Sequence, residues 1–199
     1  MTYAIFALGL FLLLSTVNAQ DGRLFFQGPA FSQFPVATFD VDCPEIGPSG
    51  SNLTIENSRD GTGCFPALGW SPSSPGTAKY LIISEDPDAP LPKSIIHGLY
   101  YAIPPEFTGI TEESLLFDGI PYTVRAGFKY GQNRGGSVYL APQPMVGHGP
   151  HRYFFEVIAL NQTIDQANLS PAATVEEIAR EIEGKVAGWG AWMGVLERT

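Results

Sequence analysis

Three short apolar segments limit what this chain can become: Lys79–Ser84 (KYLIIS), His97–Ile103 (HGLYYAI) and Arg152–Leu160 (RYFFEVIAL). Each is rich in β-branched and aromatic residues. Each is also too continuous to leave one face in water, and too short to stand as a buried helix, so all three predict covered strands. Turn-rich stretches separate them, among them Pro44–Gly63, Ser71–Gly76 (SPSSPG) and Pro104-Pro105. With 22 Gly and 17 Pro in 199 residues, turns are favoured over long helices. A hydrophobic content of 44% suffices for a sizeable core. A mainly β chain follows, with no internal repeat and no linker.

Weaker signals fill in the order. Residues 20–36 lack a period and predict an extended arm or a short helical turn. Ala37–Val41 alternates and predicts a first strand, and Leu53-Thr54-Ile55 a short one. Ala67–Trp70 is a short apolar segment, Tyr122–Lys129 a half-buried one, and Tyr139-Leu140 starts a strand that Pro142 stops. Thr174-Val175-Glu176-Glu177 is a capping box. Behind it Val175, Ile178, Ala179, Ile182 and Val186 share one helical face, with Gly188 and Gly190 as the expected end. Trp189–Leu196 is either a last strand or an apolar strip on the core.

The first residues call for separate treatment. Ala4–Leu14 is uncharged and apolar but shorter than the roughly 20 residues that span a bilayer. Followed by Val17-Asn18-Ala19, it predicts a signal peptide over residues 1–19 and a single mature domain over 20–199. The competing reading is a buried N-terminal strand or helix. A secreted, extracellular protein is expected, with no transmembrane segment. In an oxidising compartment Cys43 and Cys64 would form one disulfide, the alternative being two separate buried thiols. Asn52-Leu53-Thr54 and Asn161-Gln162-Thr163 are glycosylation triplets; Asn168-Leu169-Ser170 is followed by Pro171 and is a poor acceptor.

Charge excludes some partners. A total of 11 Lys and Arg against 20 Asp and Glu gives a net charge of −9, which argues against nucleic acid and against a polybasic membrane patch. Nucleophile-elbow, phosphate-loop and His-Glu-x-x-His motifs are missing from the sequence, so it suggests neither a catalytic nucleophile nor a cofactor.

Chemistry-bearing residues gather in three places. Glu85-Asp86-Pro87-Asp88-Ala89-Pro90 follows the Lys79–Ser84 strand and forms a stiff acidic turn, in which extended backbone would point Asp86 and Asp88 to one side. Such acids also serve as plain turn caps. His97 opens the next strand. Gly147-His148-Gly149-Pro150-His151-Arg152-Tyr153 then joins a Gly-rich loop to the strongest strand. It brings two imidazoles, a guanidinium and a phenol together, enough donors for an anion. Two histidines with two carboxylates also compose a possible divalent-metal set, but no close ligand spacing supports one and no metal site is expected.

Asp86-Pro87-Asp88-Ala89-Pro90, then His97, then a Pro-rich loop into Gly-His-Gly-Pro-His-Arg-Tyr, together resemble the phosphatidylethanolamine-binding protein family, in the manner of its bacterial-type branch. Pro66-Ala67-Leu68-Gly69-Trp70 is similar to the family's Ser-Pro-Pro-Leu-x-Trp stretch, and the resemblance covers about Phe65 to Leu160. It implies an antiparallel β-sandwich with a few peripheral helices and a small anion pocket near one end. By motif, Asp86, Asp88, Pro90, His97, His151 and Tyr153 line or support that pocket, with Pro144 and Met145 on its rim. The resemblance also implies a cis Ala89–Pro90 bond. Ala141-Pro142-Gln143-Pro144-Met145 departs from the family's Gly-Pro-Cys-Pro-Pro and alters the rim.

The expected function is a binding module for an anionic small molecule or phospholipid head group, such as phosphatidylethanolamine. Donors from His97, His151 and Tyr153 would hold the anion, with Asp86 and Asp88 fixing the imidazoles. The alternative is a regulator of a protein partner, in the manner of the serine carboxypeptidase inhibitors of the same family. A hydrolase is a more distant third.

Overall fold

In the computed structural model, residues 22–72 and 75–199 are described; the signal-peptide reading of residues 1–19 lies outside them. Two antiparallel sheets form the frame. The smaller consists of β1 (Val41–Asp42), β2 (Leu68–Trp70) and β5 (Gly109–Ile110), in the order β1-β2-β5. The larger contains β3 (Lys79–Asp86), β4 (Ile95–Ile103), β6 (Lys129–Tyr130), β7 (His151–Leu160) and β8 (Val186–Leu196), in the order β6-β4-β3-β7-β8. The three apolar segments thus become β3, β4 and β7, side by side at the middle of the large sheet.

Their continuity has the expected cause, because both faces of the large sheet are covered. On one face Tyr80, Ile82, Tyr100, Phe155, Val157 and Trp192 pack against Val41, Leu68, Trp70 and Ile110 of the small sheet, giving the sandwich core. On the other face Leu81, Ile83, Leu99, Phe154 and Ile158 meet an N-terminal arm and the α-helix α1 (Val175–Glu181). The arm consists of two short helical turns, Phe25–Gln27 and Pro29–Phe31, and Phe26 stacks on Trp189 at 4.2 Å between ring centroids. This second core also holds two acids: the Glu85 carboxylate accepts the Phe25 amide at 2.6 Å, and Glu156 lies fully buried on the neighbouring strand.

Both edges of the large sheet are covered. Along the outer side of β8, the amides of Thr38, Gly50 and Leu53 donate to Trp189, Met193 and Val195 carbonyls at 2.7–2.8 Å, and Val195 N donates to Ser51 O at 3.0 Å. On β6, Tyr130 N donates to Tyr122 O at 3.1 Å, beside a bridge between Thr123 and Lys129. No helix among the described residues is long and apolar enough to cross a membrane.

Several local expectations are corrected. The capping box forms as expected, with Glu177 N donating to Thr174 Oγ1 at 3.2 Å and Thr174 N to Glu177 Oε2 at 2.7 Å. The helix, however, stops before Gly184, whose φ of 72° suits glycine, and Val186 opens β8 instead of extending the helical face. The tail is therefore a strand, paired with β7 from His151–Leu196 to Leu160–Val186. The first strand is only Val41–Asp42, and Ile55–Asn57 is a short helical turn capped by Thr54 where a strand was expected. Tyr139-Leu140 lies outside the strands.

The expected Cys43–Cys64 disulfide is absent, and both cysteines are free thiols. Cys43 is drawn into the sandwich core, while Cys64 is half-buried with its sulfur 3.0 Å from Thr62 Oγ1. The expected cis Ala89–Pro90 bond is corrected as well, since no described peptide bond is cis. A side chain closes that turn instead: Asp86 Oδ1 accepts the amides of Asp88 at 2.8 Å and Ala89 at 3.2 Å.

Candidate functional site

The ends of three neighbouring strands build the site. Asp86 is the last residue of β3, His151 and Tyr153 stand at the start of β7, and His97 lies early in β4. Antiparallel pairing of β3 with both β4 and β7 brings these positions to one end of the sheet. One oxygen of Asp86 folds its own turn, and the other accepts from His151 Nδ1 at 2.8 Å. A carboxylate only accepts, so this bond places a proton on Nδ1 and directs Nε2 away from the acid.

His97 is held through the same ring nitrogen, by a backbone carbonyl in place of a carboxylate. Its Nδ1 lies 2.6 Å from the Leu140 carbonyl, which also only accepts, so Nδ1 carries the proton. Its Nε2 is buried and has no hydrogen-bond partner. Burial depresses this imidazole below its ordinary 6.5, against weaker upward pulls from the Leu140 carbonyl and Asp86, so the ring is neutral at pH 7. The expectation that His97 offers a ready N–H is therefore revised: its inward nitrogen bears a lone pair and becomes a donor only on taking up a proton.

Tyr153 sits between the two rings, edge-on to His97 at 5.2 Å and nearly parallel to His151 at 6.4 Å. Burial, with the charges of Asp86 and Asp88, raises its phenol far above the usual value and keeps it protonated. Exposures are 3% for Asp86, 4% for His97, 3% for His151 and 1% for Tyr153, so the polar group is sealed in this conformation. The quartet lines none of the three cavities of about 550, 560 and 480 Å³ found elsewhere on the surface. No group of three His, Cys, Asp or Glu among the described residues is placed to hold a metal ion.

Four of the expected site residues thus converge: Asp86, His97, His151 and Tyr153. Asp88 does not join them. Its carboxylate takes a forked bond from Arg152, at 2.9 Å from Nε and 2.6 Å from Nη2, and a third bond from the Arg152 amide at 2.8 Å. Burial would raise this acid, but the Arg152 bonds outweigh burial and hold it below its ordinary 3.8. The side chain of Asp86 turns the chain, so the straight-strand geometry that would point both acids one way does not apply. Pro90 is exposed at the turn's far side. Pro144 and Met145 act through their backbone, Pro144 O accepting from Arg198 Nη1 at 3.2 Å and Met145 O from His148 N at 3.1 Å.

That last bond introduces a residue missing from the expected set. The turn from Met145 to His148 brings the His148 ring over His151, with His148 Nδ1 2.8 Å from His151 Nε2. The Gly-His-Gly-Pro-His motif contained the signal, but only the turn reveals the contact. Arg152 and the Leu140 carbonyl are the other participants the expected set lacked.

Comparison with known proteins agrees with this frame. The family model for phosphatidylethanolamine-binding protein matches residues 43–197, and the chain belongs to that family. A fungal relative from Talaromyces stipitatus, phomoidride biosynthesis cluster protein B, is 44% identical over 94% of this chain and 78% of its own length. A UPF0098 protein of Aquifex aeolicus is 34% identical over 75% of this chain and 84% of its own. Among solved structures, E. coli YbcL, described as a member of the mammalian PEBP family, superposes with a TM-score of 0.70 at 24% identity. That match covers 82% of this chain and all of the other, and supports the fold.

Proposed function

We propose that the chain is a binding protein whose Asp86–His151–His97–Tyr153 group takes the oxyanion of a small molecule or phospholipid head group, phosphatidylethanolamine being one such ligand. One observation carries the reading: two imidazoles fixed from behind, His151 by Asp86 and His97 by Leu140, leave both Nε2 atoms for something other than the protein's own backbone. The Tyr153 hydroxyl donates to the anion, and each imidazole, its Nδ1 proton already given to Asp86 or Leu140, adds an Nε2–H by taking up a proton. No side chain here is poised as a nucleophile, which favours binding over turnover.

The name of the fungal relative ties it to a biosynthesis cluster, a setting that suits a soluble anionic metabolite as well as a lipid. Titration calorimetry with sulfate, phosphoethanolamine and short-chain phosphatidylethanolamine separates these sources. His151→Ala should weaken sulfate binding about tenfold or more, the loss of one charge-assisted hydrogen bond. Equal affinity in both proteins would remove the reading. We also infer export, with residues 1–19 as the leader and exposed Asn52 and Asn161 as glycan acceptors. N-terminal sequencing of the protein from its host's medium should start at Gln20.

A further inference from the structure

We propose that His148 is a built-in stopper of this site: its ring occupies the place on His151 Nε2 that an oxyanion takes, and the arriving anion displaces it. The inference rests on the anion-binding reading above. His148 is exposed while the four residues beneath it are sealed, and it reaches the outward nitrogen of His151 at 2.8 Å. Gly147 and Gly149 flank it at φ 73° and 91°, and a Cβ built on either meets nothing within 4 Å. The ring therefore sits on an unpacked hinge. The base of the loop is held, since Gly147 N donates to Arg198 O at 3.0 Å and Arg198 is itself paired with Asp60.

Proton arithmetic makes the contact breakable. His151 Nδ1 keeps its proton for Asp86, so a single proton bridges His151 Nε2 and His148 Nδ1. When both rings are fully protonated neither nitrogen can accept, and the contact is lost. The other charged or titratable groups around the pair are Asp86 beneath His151, His97 and Tyr153 beside it, and the Asp88–Arg152 and Asp60–Arg198 pairs. None offers His148 a comparable partner in the closed position. An anion, by contrast, accepts from His151 Nε2–H and favours the charged imidazole, so it competes for the same atom. The ligand class this selects is an oxyanion; a neutral molecule would not release the stopper.

The test compares wild type with His148→Ala, using sulfate as the probe at pH 7. Removing one imidazole–imidazole hydrogen bond from the unliganded state should tighten sulfate binding by about three- to tenfold. Diethyl pyrocarbonate, mapped by mass spectrometry on sulfate-free protein, should acylate His151 several times faster in the variant. Unchanged or weaker sulfate binding in the variant, with wild type binding normally, overturns the stopper and leaves the anion reading standing. Absence of sulfate binding in both proteins overturns the anion reading and the stopper with it. An unchanged His151 acylation rate also overturns the stopper, because the ring would then not be covering that nitrogen.

Discussion

Glu156 and Glu85 are diagonal neighbours on adjacent strands inside the second core, Glu156 opposite Ile83 and Glu85 opposite Phe154 on one side of the sheet. Neither Glu156 oxygen receives a well-formed hydrogen bond from an N–H or O–H. Burial first, then the Glu85 charge and carboxyl contact, push Glu156 well above its ordinary 4.5, with the nearby Phe26 amide offsetting only part. Glu156 therefore holds a proton in the folded protein. The folded protein keeps it where the unfolded chain releases it, so stability is full below 4.5 and falls as pH rises through the folded value.

Glu156→Gln should remove this loss. In thermal unfolding at pH 5 and pH 8, the variant is expected to gain on wild type at pH 8 and not at pH 5. A difference of equal size at both pH values would mean that packing, and not the proton, sets the effect.

Sulfate binding should take up protons, because His97 is neutral and its Nε2 can face an anion only after protonation. Affinity is expected to rise as pH falls from 8 to 6. Calorimetry in two buffers of different ionisation enthalpy measures the uptake directly. His97→Gln should reduce it, and an uptake unchanged by that substitution would place the proton elsewhere.

Asp88 is expected to matter for stability, through Arg152. Asp88→Asn loses the fork at a site where both side chains are partly exposed, 36% for Arg152 and 22% for Asp88. A cost of about 1–2 kcal/mol follows, between a surface pair and a buried charged bond. The depressed acid also makes wild-type stability drop as pH falls below 3.8, and the variant should show less of that drop. Urea unfolding at pH 7 and pH 3 checks both points.

The two thiols should differ in reactivity. Burial first, with the acids Glu45 and Asp42 adding to it, raises the Cys43 thiol to about 11, so it reacts slowly at pH 8. Cys64 is half-buried and should label first with Ellman's reagent, with Cys43 following only on denaturation. A native protein with no reactive thiol, and none after unfolding without reductant, would restore the disulfide.

How far the residues foretold the fold depends on how local the cause is. The middle strands were legible because Lys79–Asp86 and His151–Leu160 need cover on both faces, and that need is written in their composition. The start of α1 was legible because Thr174 and Glu177 cap each other within one turn. Its end was not, because Val186 fits a helical face as well as it fits the strand. The motifs named Asp86, His97, His151 and Tyr153, which the strand ends bring together. The partner of Asp88 and the position of His148 depend on turns folded by an Asp86 side chain and a Met145 carbonyl, and such turns have no period to read.

The covered edges of the large sheet restrict how another protein can attach. β8 has outer groups of Trp189, Met193 and Val195 engaged by the chain around Thr38–Leu53, and the two residues of β6 are bridged by the segment at Tyr122–Thr123. An extended peptide finds no open ladder at those places on the large sheet, which disfavours strand addition there, whether by a partner or in self-association. On this sheet, loops and side chains are left as the surfaces through which another protein could attach. The exposed loop that carries His148 is one such surface.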